Sequence, residues 1–151
     1  MMNNSRPTKQ AYYLELASIV LKRGTCLRRN YGAIIVRDDQ IISTGYTGSS
    51  RGEINCCDVG YCPREEANIP SGERYELCKS VHAEMNAIIH AGRERCKGAT
   101  IYVVGRDMKT GEILSTPPCS LCQRAIVNAG IELIVTYSEE ELCQRMSMYR
   151  E

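Results

Sequence analysis

Two short stretches, far apart in the sequence, constrain this chain more than any other feature. The first, residues 81–88, reads Val-His-Ala-Glu-Met-Asn-Ala-Ile, and the second, residues 118–122, reads Pro-Cys-Ser-Leu-Cys. His82, Cys119 and Cys122 offer one nitrogen and two sulfur ligands, a set that suits tetrahedral zinc. Three protein ligands leave the fourth position open for water, as in catalytic zinc sites. We therefore expect a fold that brings the two stretches together.

Glu84, two residues after His82, completes the predicted site. A carboxylate beside an activated water can take its proton and return it to a leaving group. Because Glu84 is so close to His82 in sequence, we assign it this acid–base role rather than that of a ligand. The alternative is a purely structural zinc site, which normally has four protein ligands.

Length and composition favour one soluble domain spanning residues 1–151. Apolar residues make up 43% of the chain and charged residues 25%, as in ordinary globular proteins. The formal net charge of +1 provides no strongly basic field for long nucleic acid, so a small-molecule substrate is favoured. We expect no membrane partner and a cytoplasmic location, because neither a signal peptide nor a long apolar run is present. In that compartment, the nine cysteines indicate metal ligands rather than disulfides, which are the alternative.

Hydrophobic periodicity predicts helices alternating with strands. This order implies an α/β sandwich with a mixed sheet. Residues 47–80 show little periodicity, and a loop this long is usually functional or tied down, for example by a metal. Residues 106–116 contain a turn signal and predict a hairpin tip or flap. The predicted helices begin near Thr8, Ser80, Cys119 and Ser138, and the predicted strands are residues 31–37, 40–46, 99–105 and 131–137.

These motifs resemble the deoxycytidylate deaminase branch of the cytidine and deoxycytidylate deaminase superfamily. The resemblance also rests on residues 32–36, 41–49, 55–58 and 125–131. It implies a cytidine deaminase-like three-layer α/β/α sandwich that converts dCMP to dUMP, usually as a homo-oligomer and often as a hexamer. In such proteins, residues at the positions of His82, Cys119 and Cys122 bind the catalytic zinc, and the residue at Glu84 is the acid–base.

The resemblance also implies contacts to the substrate. The backbone N–H of Ala83 would meet the pyrimidine carbonyl, and a backbone carbonyl near Pro117 would accept from the exocyclic amine. Thr47 stands where the branch usually has an asparagine that contacts the sugar hydroxyl, so sugar recognition is expected to differ here. The 106–116 segment is longer than the usual link, so we also expect it to influence substrate choice.

A second, structural zinc is implied as well. In some members that resemble this chain, the positions of Cys26 and Cys56 supply two of its ligands. The other two positions carry Gly72 and Ser80 here, so Cys62 and Cys78 are the natural replacements. Spacing alone leaves Cys57 as an alternative to Cys56, and a cluster of free buried thiols as an alternative to a metal site. The predicted ligand set is Cys26, Cys56, Cys62 and Cys78.

Three other functions compete with deamination of dCMP. The nearest is deamination of another free nucleoside or base, such as cytidine. The second is editing of adenosine in tRNA, against which the near-neutral charge argues. The third is a non-catalytic, zinc-stabilised binding module.

Overall fold

A mixed β-sheet lies at the centre of the computed structural model, which describes residues 5–138 and residue 140. The helices are α1 (Lys9–Val20), α2 (Cys56–Val59), α3 (Pro63–Glu66), α4 (Ala83–Ala91), α5 (Arg93–Cys96) and α6 (Ser120–Asn128). The strands are β1 (Arg29–Arg37), β2 (Gln40–Tyr46), β3 (Gly48–Ser49), β4 (Ser80–Val81), β5 (Thr100–Asp107), β6 (Ile113–Leu114) and β7 (Leu133–Val135).

The main sheet combines antiparallel and parallel pairs, as predicted. Strand β1 pairs antiparallel with β2 on one edge and with β5 on the other. The far edge of β5 is shared, because β7 pairs parallel with its first half and β6 antiparallel with its second half. The predicted hairpin of residues 31–37 and 40–46 is confirmed. The predicted tip after β5 is also a hairpin, and its return strand is β6.

Helices cover both faces of this sheet, which confirms the three-layer α/β/α sandwich. On one face, Leu14 and Ala17 of α1 pack against Ile34 of β1. On the other, Ala87 of α4 and Ile126 of α6 belong to the cluster that contains Ile35. The continuous apolar run in β1 follows from this arrangement, since a strand covered on both sides needs no polar face.

Helix α1 begins where the sequence indicates. The hydroxyl of Thr8 accepts a hydrogen bond from the Ala11 amide at 3.1 Å, which caps the helix. A 3₁₀ turn, Leu21–Arg23, follows α1 and ends at Gly24.

Helix α4 is held against β2 by two side-chain bonds to the backbone. The Ser43 hydroxyl donates to the Ala87 carbonyl at 2.7 Å. The Asn86 amide donates to the Tyr46 carbonyl at 2.9 Å. These bonds place the start of α4, where His82 lies, beside the end of β2.

The 47–80 segment is irregular, as predicted, and contains only short elements. Its two ends meet, because β3 pairs antiparallel with β4. Arg64, only 7% exposed, donates to the carbonyls of Glu73 and Pro70 and so holds the segment together from within.

Among the described residues, no helix is long and apolar enough to cross a membrane. The helix predicted from Ser138 falls mostly outside the described residues.

Candidate active site

The two motifs that opened the sequence meet at the N-terminal ends of α4 and α6. His82 is the residue before α4, and Cys119 is the residue before α6. His82 Nδ1 lies 3.2 Å from the Cys122 sulfur and 3.5 Å from the Cys119 sulfur. All three ligand atoms lie within 4.8 Å of one another. Among the described residues, this is the only group of three or more His, Cys, Asp or Glu side chains that meets that distance.

The donor set fits zinc. Zinc–sulfur and zinc–nitrogen bonds of about 2.3 Å and 2.0 Å in a tetrahedron separate ligand atoms by roughly 3.5 Å. The two histidine–sulfur distances are close to this value. The nitrogen of His82 and the sulfurs of Cys119 and Cys122 are therefore spaced to coordinate one zinc ion.

Burial shapes the electrostatics of Cys122, which is fully enclosed. Desolvation raises the pKa of its thiol strongly, and the nearby Glu84 and Cys119 raise it further. A buried thiol of this kind stays neutral unless a cation arrives, and binding of a metal then releases the proton. The first turns of both helices contribute positive dipole ends that favour thiolate ligands.

Glu84 lies in the first turn of α4 and is only 4% exposed. Its carboxylate is close enough to the Cys122 thiol to raise the pKa of that thiol. The carboxylate is therefore beside the three candidate metal ligands and shielded from bulk water. This is the position that the predicted acid–base role requires.

The predicted substrate contacts, Ala83 and Pro117, lie next to the candidate metal ligands in the sequence. Ala83 is fully buried and is the first residue of α4, so its N–H has no partner within the helix. Pro117 is exposed and lies two residues before Cys119. The substrate-binding roles of Ala83 and Pro117 stay predictions.

The Thr47 side chain is buried and already hydrogen-bonded within the protein. It is 6% exposed, and its hydroxyl accepts a hydrogen bond from the Tyr31 amide at 3.0 Å. The same hydroxyl lies 3.5 Å from the Tyr31 carbonyl, to which it donates. Its hydrogen-bonding capacity therefore serves mainly to join the end of β2 to β1.

A pocket next to His82 is lined by the four predicted structural ligands, Cys26, Cys56, Cys62 and Cys78. Burial raises the pKa of Cys56, and the other three cysteines raise it further, so all four lie within electrostatic range. The distances between their sulfurs are larger than the distances between the ligand atoms of His82, Cys119 and Cys122. In the described chain, no three of them lie within 4.8 Å of one another.

The choice between Cys56 and Cys57 is decided by the direction of each side chain. Cys56 is 7% exposed and lines the pocket. Cys57 is exposed, and its sulfur lies 3.9 Å from the Asp58 carboxylate. Cys56 therefore belongs to the cysteine cluster and Cys57 does not.

The predicted flap is anchored to the neighbourhood of the pocket. The Met108 amide donates to the Arg28 carbonyl at 2.8 Å. Lys109 forms an ion pair with Glu65 at 2.7 Å, and Arg28 approaches the same carboxylate at 3.6 Å. The β5–β6 hairpin is thus tied to the 47–80 segment.

Sequence reasoning missed one residue that the structure places at the site. The Tyr75 ring lies edge-on to the His82 imidazole, with their centroids 5.0 Å apart. Tyr75 belongs to the aperiodic segment, where no motif or hydrophobic pattern distinguishes it. Only its nearness in sequence to His82 was available as a signal.

The sequence matches a known family. The family profile described as the cytidine and deoxycytidylate deaminase zinc-binding region matches residues 7–138. The chain therefore belongs to the cytidine and deoxycytidylate deaminase family, the class that its fold and His-Cys-Cys group define.

Individual relatives agree with this assignment. The chain is 36% identical over 137 residues to a Schizosaccharomyces pombe deoxycytidylate deaminase, covering 90% of this chain and 39% of that protein. It is 34% identical over 136 residues to the deoxycytidylate deaminase of Mycobacterium phage D29, covering 87% of this chain and 95% of the phage protein. The chain thus spans about two fifths of the fission yeast protein and nearly all of the phage one.

Solved structures share the fold. The dCMP deaminase of cyanophage S-TIM5 in complex with dCMP and dUMP superposes with a TM-score of 0.60 at 19% identity, covering 96% of this chain and 94% of that one. Cytidine deaminase from Mycobacterium tuberculosis superposes with a TM-score of 0.51 at 13% identity, covering 89% of this chain and 88% of that one. At these identities the likeness concerns the fold alone.

Proposed function

We propose that this protein is a zinc-dependent hydrolase that deaminates dCMP to dUMP and ammonia. The observation that carries the proposal is the convergence of His82, Cys119 and Cys122 beside the buried carboxylate of Glu84. The relatives from S. pombe and phage D29, both named deoxycytidylate deaminase, support dCMP as the substrate.

His82, Cys119 and Cys122 would hold the zinc. When bound, zinc lowers the pKa of a coordinated water, which makes hydroxide available near neutral pH. Glu84 accepts a proton from the attacking water and delivers it to the ring nitrogen next to the amine-bearing carbon. The second proton of the water passes by the same carboxylate to the amino group, which leaves as ammonia. The Ala83 N–H orients the ring by donating to the pyrimidine carbonyl, and a carbonyl near Pro117 accepts from the amine.

The proposal includes a second, structural zinc held by Cys26, Cys56, Cys62 and Cys78. Two observations support it. The four thiols line a single pocket, and the Ser80 hydroxyl at the same pocket is buried without a hydrogen-bond partner in the described chain. Buried polar atoms normally find partners, and a metal-bound thiolate is a suitable acceptor. The metal would tie the 47–80 segment to the start of β1 and contribute folding free energy.

We also propose a homo-oligomer in the cytoplasm, without a membrane or long nucleic acid as partner. Large apolar side chains on α4 and α6 support an assembly, since Ile89 is 71% exposed and Val127 73% exposed. The described cysteines form no disulfide with one another, which is typical of a reducing compartment. Sedimentation analysis measures the number of subunits directly.

A kinetic comparison tests the substrate. Ammonia release is measured from dCMP, dCTP, deoxycytidine and cytidine with the same zinc-loaded protein. The proposal expects the highest kcat/KM for dCMP. Equal values for deoxycytidine and dCMP would contradict a phosphate-reading pocket and favour the cytidine-type alternative. Binding of tRNA at low salt, together with no activity on any of the four compounds, would favour the tRNA-editing alternative.

A further inference from the structure

Tyr75 occupies a special position in the wall of the pocket. It lines this pocket together with His82, Thr47 and Tyr31. Its ring meets the His82 imidazole at an interplanar angle of 82°, the edge-to-face arrangement that aromatic pairs prefer. The loop residue and the candidate metal ligand are therefore packed directly on each other.

Arg64 fixes Tyr75 in this position. Its guanidinium lies 4.9 Å from the centroid of the Tyr75 ring, within cation–π distance. The same group donates to the Glu73 carbonyl at 2.9 Å and to the Pro70 carbonyl at 3.3 Å. A buried arginine with these contacts holds the backbone just before Tyr75 as well as its ring. Tyr75 is thus preorganised rather than mobile on a surface loop.

The Tyr75 hydroxyl is free to bind a ligand. Tyr75 lines the same pocket as His82, and its ring packs on the His82 imidazole, so the residue lies beside the candidate metal group. In the described part of the chain, this hydroxyl makes no hydrogen bond, whereas the Thr47 hydroxyl is already bonded to Tyr31. Arg28, another residue of the pocket wall, is similarly engaged by Glu65 and the Ile69 carbonyl.

From this contrast we infer that Tyr75 is a substrate-recognition residue whose hydroxyl donates a hydrogen bond to an oxygen of the nucleotide's sugar or phosphate. Tyr75 would supply the hydrogen bond that the buried Thr47 hydroxyl, already bonded to Tyr31, is poorly placed to make. The inference rests on the proposed deaminase function. It adds to that function the residue that recognises the sugar or the phosphate of the substrate. Arg64 acts through Tyr75 and is a positioning residue.

The test is equilibrium binding of the reaction product to the zinc-loaded protein. Isothermal titration with dUMP and with deoxyuridine compares the wild type, Tyr75→Phe and the control Tyr61→Phe. Tyr61 lies in the same segment, is 47% exposed and does not line this pocket. Tyr75→Phe keeps the ring that packs on His82, so zinc content and melting temperature should stay at wild-type values.

We expect Tyr75→Phe to bind dUMP about tenfold more weakly, the effect of one lost hydrogen bond, and Tyr61→Phe to match the wild type. An equal loss for deoxyuridine assigns the contact to the sugar, and a loss for dUMP alone assigns it to the phosphate. Wild-type protein that is active, beside a Tyr75→Phe variant that binds both ligands within twofold of wild type, overturns this inference alone. Wild-type protein that neither releases ammonia from dCMP nor binds dUMP overturns the proposed function and this inference together.

Discussion

Gly45 of β2 lies so close to Ala87 of α4 that a Cβ atom on the glycine would overlap the Ala87 backbone nitrogen. The same Cβ would also meet the Ala83 carbonyl oxygen. Because these are backbone atoms, neither can move aside without shifting the helix. The absence of a side chain at Gly45 therefore sets how near α4, and with it His82, approaches the sheet.

Gly45→Ala should destabilise the protein by about 1–3 kcal/mol, the usual cost of overpacking a tight interior. Gly48→Ala is the matched control, because a Cβ there has its nearest neighbour at 3.5 Å, an ordinary contact. Urea unfolding of both variants measures the free energies. Equal stability of the two variants would show that α4 adjusts without cost.

Glu84→Gln should retain zinc and lose ammonia release by about 10²–10⁴-fold, since the amide fills the same space and cannot accept the proton. Glu132→Gln, on an exposed side chain, is the control. Steady-state kinetics and zinc analysis are measured on the same samples. A Glu84→Gln variant with activity within tenfold of wild type would assign the proton transfer to another group.

Cys119→Ser should remove one zinc per chain and abolish activity, because a serine hydroxyl is a poor replacement for a thiolate in this donor set. Cys57→Ser should change neither, since the Cys57 side chain is exposed and outside both groups of candidate ligands. Elemental analysis of purified protein gives the zinc stoichiometry. Full zinc content in Cys119→Ser would contradict the assignment of this ligand.

The four-cysteine site predicts two zinc ions per chain in the wild type and one in Cys78→Ser. The variant should also melt at a lower temperature, because the metal no longer ties the 47–80 segment to the start of β1. One zinc per chain in the wild type, with Cys78→Ser unchanged, would show that the four thiols are simply packed together.

Stability at high pH should depend on Tyr13, whose hydroxyl donates to the Asp39 carboxylate at 2.6 Å. This hydrogen bond, followed by burial, raises the pKa of Tyr13 to about 12 from 10.0. A raised pKa means that the folded state favours the neutral phenol, so this contribution to stability is complete below pH 10 and is lost as the pH rises towards 12.

Urea midpoints at pH 8 and pH 11 measure this effect in the wild type and in Tyr13→Phe. The wild type should lose more stability between the two values than the variant does, since phenylalanine has no proton to lose. Parallel losses in both proteins would show that the Tyr13–Asp39 bond makes no contribution to the pH dependence.

Much of this molecule could be predicted from local sequence patterns. The apolar run of β1, the cap at Thr8 and the turn between β1 and β2 depend on near neighbours, so periodicity and turn residues located them. The spacing of His82 and Glu84, and of Cys119 and Cys122, predicted one shared site. That prediction followed because one histidine and two cysteines, each near the start of a predicted helix, form a ligand set that suits one zinc ion.

Tertiary contacts decided the rest. Which of Cys56 and Cys57 faces the pocket depends on the direction of a short helix that has no periodic pattern. The Thr47 hydroxyl bonds to Tyr31, a residue that only strand pairing brings near. Tyr75 packs on His82 in a position fixed by Arg64, which contacts the Tyr75 ring and holds the backbone just before it. The sequence by itself thus determined which candidate ligands and which carboxylate the site contains, since residue types and spacing are local properties. The structure decided which polar groups remain free for a substrate, because that depends on partners distant along the chain.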